Sequence, residues 1–324
     1  MVRIRRTIVG VAWALAGTII LAACAPAPPA SAPAPPTSTP AAAGAPAAAR
    51  ASFPLTITDD AGRQVTVEQE PLRIVSLAPS NTEILFALGL GDKVVGVTTY
   101  CDYPEEAKAK PKIGSLISVD YETLLASAPD LILATTTQAK RIVPELEGKG
   151  LAVVVIDPTN LEDVLAKIRL VGRLTGRPDE AQALVEKMDA RVRETQARLA
   201  TAKTSPRVFW EVTRELISPG PSSFIGDMIV RAGGTNIVAD TSIKWPRLSQ
   251  EVIIASDPEV IIVGDHAEQV TPAEIAARPG WQTISAVKAG RMVPVDPNVV
   301  NRAGPRIVDG FELVARAIHP EVFQ

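Results

Sequence analysis

The sequence predicts an α/β protein: two related, doubly wound lobes with parallel sheets, joined by one long α-helix, with a ligand cleft between the lobes. Three observations predict it. Short aliphatic runs alternate with helical patterns in two separate blocks. A long amphipathic stretch divides the blocks. One thirteen-residue pattern is written twice, as YETLLASAPDLIL at 121–133 and QEVIIASDPEVII at 250–262. The two copies share Glu122/Glu251, Ala126/Ala255, Ser127/Ser256, Pro129/Pro258 and Ile132/Ile261 in register.

The first residues stand apart from this pattern. MVRIRR is basic, and the apolar run TIVGVAWALAGTII after it is shorter than the ~20 residues a membrane helix needs. Basic and then apolar residues of these lengths read as a secretory signal. The signal ends in Leu21-Ala22-Ala23-Cys24, small residues before a cysteine, which resembles the lipobox of bacterial lipoproteins. The resemblance implies residues 1–24 as a lipoprotein signal and Cys24 as the lipidated residue; the alternative is an ordinary signal with a chance cysteine. Residues 25–52 follow as a Pro/Ala-rich tether, with eight prolines between Ala25 and Arg50 and no means of burying a core.

LTITDD and RQVTVE alternate apolar and polar residues around a turn at Asp60-Ala61-Gly62, which predicts a hairpin. The first block then gives strands at 73–77, 94–97, 130–134 and 152–156. Helices are expected between them at 82–88, 121–127, 142–149 and 161–174. Uninterrupted aliphatic strands suit a parallel sheet covered on both faces. Pro178–Lys203 places Ala181, Leu184, Val185, Met188, Val192 and Leu199 at helical spacing. The second block gives strands at 207–212, 260–264 and 292–296, with helices at 225–232, 250–256, 272–277 and 305–318. The repeat extends to LGLG against AGGT and VVIDP against VPVDP. Domain boundaries follow: an N-terminal lobe at 53–177, the linking helix at 178–204 and a C-terminal lobe at 205–324.

Composition excludes several functions. The net charge is −3, with three of the positive charges in Arg3, Arg5 and Arg6, and no basic run tracks a phosphate backbone. G-x-S-x-G, P-loop and G-x-G-x-x-G patterns are missing, so nothing suggests an enzyme or a cofactor. His266 and His319 are the only histidines and join no Cys/His cluster, which argues against a metal site. With Cys24 lipidated, Cys101 has no disulfide partner and reads as a small buried group.

Open parallel sheets bind ligands beyond the carboxyl ends of their strands. Those ends carry Ser80, Asn81, Tyr100, Glu211, Trp245, His266, Asn298 and Arg302 as candidates. Tyr100 and Trp245 stand out because the chain is poor in aromatics, and stacked rings suit a large flat ligand. Arg306 opens the last helix just after Pro305, where a cation opposes the helix dipole. Two readings stay open for it: a pair with Asp309, or a joint contact with Arg302 to an anionic group on the ligand.

RIVSLAPSNTEILFALGLGDKVVGVTTYCDYPEEA, DYETLLASAPDLILA, IKWPRLSQEVII and NRAGPRIVDG together resemble one family. It is the helix-linked substrate-binding proteins of ABC importers for cobalamin, ferric siderophores and haem. The resemblance runs from about Leu55 to the C-terminus and is closest to the cobalamin branch. It implies capture of cobalamin or a related corrinoid, with a ferric siderophore or haem as the alternative. It also implies delivery to a dimeric permease with ATPase subunits, modest closure about the linking helix, and a lipid-anchored monomer outside the cell membrane. Two positions depart from the cobalamin pattern: a ligand-loop tryptophan is replaced by Leu116, and an aspartate–tryptophan pair by Asn298-Val299.

Each repeated glutamate is the second residue of a predicted helix, behind Asp120 or Ser249 as N-cap. An acid there favours the helix dipole by ~0.3–1 kcal/mol, which can account for either one alone. By resemblance, Glu122 and Glu251 are the permease-docking residues, one per lobe for a two-fold partner. The double variant Glu122→Ala/Glu251→Ala should keep ligand affinity and lose uptake. Normal uptake by cells carrying it would remove the docking role.

Overall fold

The computed structural model describes residues 52–240, 242–264 and 270–324. All of them belong to one unit, Pro46–Gln324. Cys24, the tether before Ser52 and His266 lie outside the described residues.

Strands β1 (Leu55–Thr58) and β2 (Gln64–Val67) form an antiparallel hairpin. Val65 and Val67 are buried while Gln64 and Thr66 face out, as the alternation requires. Asp59 organises the turn, its carboxylate accepting from the backbone N–H of Ala61 and Arg63, both at 3.0 Å. The same carboxylate accepts from Val155 N, which fixes the hairpin to the first sheet.

The N-terminal lobe runs β3 (Ile74–Ser76), α1 (Pro79–Ala87), β4 (Val94–Val97), α2 (Glu105–Lys108), α3 (Tyr121–Ala126) and β5 (Leu131–Ala134). It continues with α4 (Thr136–Ala139), α5 (Ile142–Glu147), β6 (Val153–Val155) and α6 (Leu161–Leu174). Helix α7 (Pro178–Leu199) leads to the second lobe. That lobe holds β7 (Arg207–Glu211), α8 (Phe224–Arg231), β8 (Thr235–Asn236), α9 (Gln250–Ser256), β9 (Val260–Val263) and α10 (Pro272–Ala276). It ends with α11 (Ser285–Lys288), β10 (Met292–Pro294), α12 (Pro297–Val300) and α13 (Ile307–Ile318).

Both sheets are parallel and share one topology. Their orders are β4-β3-β5-β6 and β10-β9-β7-β8, so each lobe's first strand lies between its second and third, with its fourth at the edge. Strands β5, β6 and β9 are fully buried, which explains their continuous aliphatic runs. The short repeats are structural as well. Helices α1 and α8 both end in a glycine at positive φ, 71° at Gly89 and 79° at Gly233, where a side chain would be strained.

A deeper repeat was not legible in the sequence. After α3 and α9, Ala128 and Asp257 adopt positive φ of 43° and 42° without being glycine. The carbonyls of these turns face an arginine that opens the first strand of the same lobe. Arg73 Nε donates to the carbonyls of Ser127 and Ala128 at 2.8 and 3.1 Å. Arg207 Nε donates to those of Ser256 and Asp257 at 3.0 and 2.9 Å. In return Asp130 accepts from Arg73 N, and Glu259 from Arg207 N. Each clasp supplies donors to the carbonyls left open at a helix C-terminus and holds the left-handed residue in place.

Helix α7 is about 33 Å long from its 22 residues. It ends at Leu199 rather than Lys203, because the Arg198 carbonyl turns to accept from Thr201 and the chain leaves the helix. It buries Ala181, Val185, Met188 and Val192 in one apolar cluster that also contains Ile168 of α6 and Phe311 of α13. Arg191 adds ion pairs to Asp309 and Glu312 of α13. The linking helix therefore packs against both lobes over a shared core. The last helix starts at Ile307 and not at Pro305, since Gly304-Pro305-Arg306 closes a turn with Ile307 N donating to Gly304 O. The short elements α2, α4, α11, α12 and β8 were not expected, being shorter than the period that reveals a helix or strand.

Arg73→Met and Arg207→Met should each cost about 1 kcal/mol of stability. Urea unfolding of the double variant should show additive losses, because the two clasps share no partner.

Candidate functional site

Loops at the carboxyl ends of the strands meet around a cleft of about 880 Å³. Its walls come from both lobes: the first turn of α1, the loops after β4, β5 and β6, helix α8, and the segment 296–303 after β10. On the first lobe this is the switch point of the sheet, between β3 and β5, where strand order reverses from the first strand outward.

Five of the candidates line it: Ser80, Tyr100, Leu116, Asn298 and Arg302. Ser80 follows Pro79, which starts α1 without needing an N–H partner. Tyr100 is 55% exposed, so its ring is available to a ligand. Leu116 is held in place by its carbonyl, which accepts from Gln138 Nε2 at 2.8 Å.

The remaining described candidates lie elsewhere. Asn81 is buried on α1 and donates to Ala134 O at 3.1 Å, tying helix to strand instead of facing the cleft. Glu211 is fully buried and receives both terminal nitrogens of Arg278, at 2.7 and 2.6 Å. Arg278 also lies over the Trp281 ring at 4.7 Å. Burial demands a partner for Glu211, and Arg278 supplies it, so this carboxylate is structural. Trp245 is 39% exposed and outside the cleft wall. Its segment is hung on residues 216–220 by backbone hydrogen bonds from Ser218 to Pro246 and from Gly220 to Lys244. A Cβ at Gly220 would lie 2.2 Å from Ile243 O, so only glycine permits that approach. Beside Trp245, Lys244 reaches Asp157 of the other lobe at 3.3 Å.

Arg306 does not pair with Asp309. Asp309 is engaged by Arg191 at 2.6 Å. Arg306 instead crosses the lobe boundary to Glu83 of α1, with Nε to Oε2 at 3.0 Å and Nη2 to Oε1 at 2.6 Å. Its guanidinium stacks 3.9 Å from the Tyr103 ring centroid. The hydrogen bonds it donates to Glu83 raise its already high pKa further. Arg302 joins the same group: Nη1 donates to Glu83 at 3.3 Å and to Asp102 at 2.5 Å, and Nη2 to Asn298 Oδ1 at 2.6 Å. Hydrogen bonding from Arg302 also holds the Asp102 carboxyl below the usual carboxylate range. Two cations from the last loop thus meet two carboxylates from the first lobe.

Glu83, Asp102 and Lys244 were not singled out in the sequence. Glu83 left one signal, an acid directly before the apolar run Ile84-Leu85-Phe86. Asp102 sits two residues from Tyr100 and left none. Cys101, between them, is buried against Thr82 and Thr98. Glu122 and Glu251 are exposed in the first turns of α3 and α9, and neither forms an ion pair among the described residues.

Residues 74–299 match the periplasmic binding protein family. The chain belongs to that family. It is 35% identical over 280 residues to the uncharacterized ABC transporter substrate-binding lipoprotein YvrC of Bacillus subtilis, covering 84% of this chain and 88% of the relative. It is 33% identical over 322 residues to a cobalamin-binding protein of Halobacterium salinarum, covering 97% and 84%. Among solved structures, the periplasmic heme-binding protein RhuT of Roseiflexus superposes with a TM-score of 0.70 at 28% identity, covering 77% of this chain and 98% of that one. The protein is therefore a substrate-binding protein of an ABC transporter and not an enzyme. Such a protein implies a small-molecule ligand and a permease with its ATPase as partners.

Glu83→Ala should leave Arg306 without a carboxylate partner, and Arg302 with Asp102 as its one carboxylate, and cost about 3 kcal/mol, as removal of one partner from a buried ion pair does. A lower urea midpoint with an unchanged slope would show it.

Proposed function

We propose that this protein captures cobalamin or a related corrinoid in the interlobe cleft and delivers it to an ABC permease. The observation that carries this reading is the charge balance of the cleft wall. Arg302 is met by Glu83 and Asp102. Asp157 is met by Lys244, and Asp296, the one wall carboxylate without an ion pair among the described residues, caps α12 through Asn298 N. What remains along the described wall is hydroxyl, amide and apolar: Ser80, Thr99, Thr135, Thr137, Asn301, Leu116 and Phe224 among others. A wall of that kind suits a large ligand of no net charge with an amide fringe, which a corrinoid is. The cobalamin-binding relative from Halobacterium supports the same assignment.

A second reading has one observation in its favour. Tyr100 presents an exposed phenol to the cleft, and phenolate oxygen is a ligand type for ferric iron. Haem or a ferric siderophore is the ligand under that reading, in keeping with the likeness to RhuT.

Around either ligand the rest of the proposal is the same. Cys24 carries the lipid anchor and the segment to Ser52 tethers a monomer outside the cell membrane. Glu122 and Glu251 meet the two halves of the permease. Their freedom from ion pairs leaves both carboxylates available to a cationic partner.

Calorimetric titration of the tag-free chain from Ser52 with cyanocobalamin should give one-to-one binding. Haemin and a ferric siderophore are titrated in parallel. Heat with haemin or the siderophore alone would overturn the corrinoid assignment and leave the family and the cleft unaffected.

A further inference from the structure

We propose that Asp102 sets the charge class of ligand the cleft accepts, by occupying Arg302 from within the cleft and so rejecting anionic ligands. The proposal rests on the cleft being the ligand site and goes beyond it, since it holds for any ligand bound there.

Arg302 is the one cation among the described residues of the cleft wall. It is the group an anionic ligand would seek, and the protein has already filled it. Both terminal nitrogens are engaged, one by Glu83 and Asp102, the other by Asn298 Oδ1 and the Tyr100 carbonyl. These partners are not equivalent. Glu83 is 1% exposed and shared with Arg306, so it belongs to the lobe boundary. Asp102 is 47% exposed, lines the cleft, and has Arg302 as its ion-pair partner. Of the three carboxylates lining the cleft, Asp102, Asp157 and Asp296, it is the one that holds Arg302.

An anion entering the cleft must take the Arg302 donor from Asp102. Asp102 is then left ionised without its partner, a like charge beside the incoming one. Like charges brought together at an interface weaken binding, which is specificity by exclusion. Replacing the Asp102 carboxylate by an amide removes that penalty and frees a donor on Arg302. A neutral ligand gains far less from the change, because it never competed for the arginine.

The test compares ligands of nearly one shape and different charge. Cyanocobalamin and its monocarboxylic acid derivative, in which one side-chain amide is hydrolysed, are titrated into the parent, Asp102→Asn and Asp102→Glu. Haemin, with two carboxylates, is titrated into all three. The parent should bind the monocarboxylic acid about tenfold more weakly than cyanocobalamin. Asp102→Asn should narrow that gap to about threefold or less and raise haemin affinity about tenfold. Asp102→Glu, which keeps the charge, should retain the gap. General damage to the cleft weakens both cobalamin forms alike and does not move their ratio. An unchanged ratio together with unchanged haemin affinity in Asp102→Asn overturns the proposal. If cyanocobalamin fails to bind while haemin binds, the corrinoid assignment falls, and the haemin shift alone decides the role of Asp102.

Discussion

The carboxylate of Glu83 is 1% exposed, and a charge so deeply buried must be met by opposite charge and hydrogen bonds. Both come from the other lobe. Arg306 grips both oxygens and Arg302 takes a further contact, from positions more than 200 residues away in the chain. That requirement fixes the lobes relative to each other on one side of the cleft. It also fixes what surrounds them. Arg306 draws Tyr103 onto its face, and Arg302 draws Asp102 and the Tyr100 carbonyl to its edge. The loop carrying Tyr100 is therefore positioned by arginines of the opposite lobe, and the cleft wall is a joint construction.

Behind the cleft the same constraint is met by apolar burial. Side chains of α6, α7, α8 and α13 belong to one continuous cluster. Burial of this kind is worth ~25 cal/mol per Å² of apolar surface, spread over every contact, so separating the lobes along that seam would expose many residues at once. The linking helix is part of this core. It stands 22 residues long because it must lie against both α6 and α13, not because the lobes need distance between them.

The fold was largely legible in the sequence, and the reason is periodicity. Buried strands such as β5 and β9 are unbroken aliphatic runs, and α6 and α9 appear at the residues their patterns predict. The duplicated pattern marked the two lobes because the same strand order and the same helix ends recur in each. The site was legible only in part. Position at a strand end picked out Ser80, Tyr100, Asn298 and Arg302, and resemblance Leu116, and all five line the cleft, since that placement depends on local order along the chain. It misplaced Asn81 and Glu211, which share those loops but turn inward to Ala134 and Arg278. It missed Glu83 and Asp102, whose meaning comes from partners in the other lobe. Long-range charge pairing leaves no period, so no local pattern announces it.

The two sides of the cleft mouth are held with unequal strength. On the side of Arg306, several charge-assisted hydrogen bonds converge on a buried carboxylate, and parting them would strand charges away from water. On the side of Trp245, the pair between Lys244 and Asp157 spans 3.3 Å with side chains 36% and 27% exposed, and next to it Asp227 of α8 accepts from Leu161 N while Arg231 pairs with Glu162. A pair that open to water is worth about 1 kcal/mol or less. Asp157 is further steadied within its own lobe by Thr136 at 2.7 Å, so losing Lys244 does not leave it unpartnered. The Lys244–Asp157 contact therefore yields at less cost than the Arg306–Glu83 contact. The segment bearing Trp245 hangs on the yielding edge, whereas Tyr100 stands on the fixed one. An aromatic residue held by the latch can act as a preformed surface for a ligand, and one on the opposite edge is free to adjust to it.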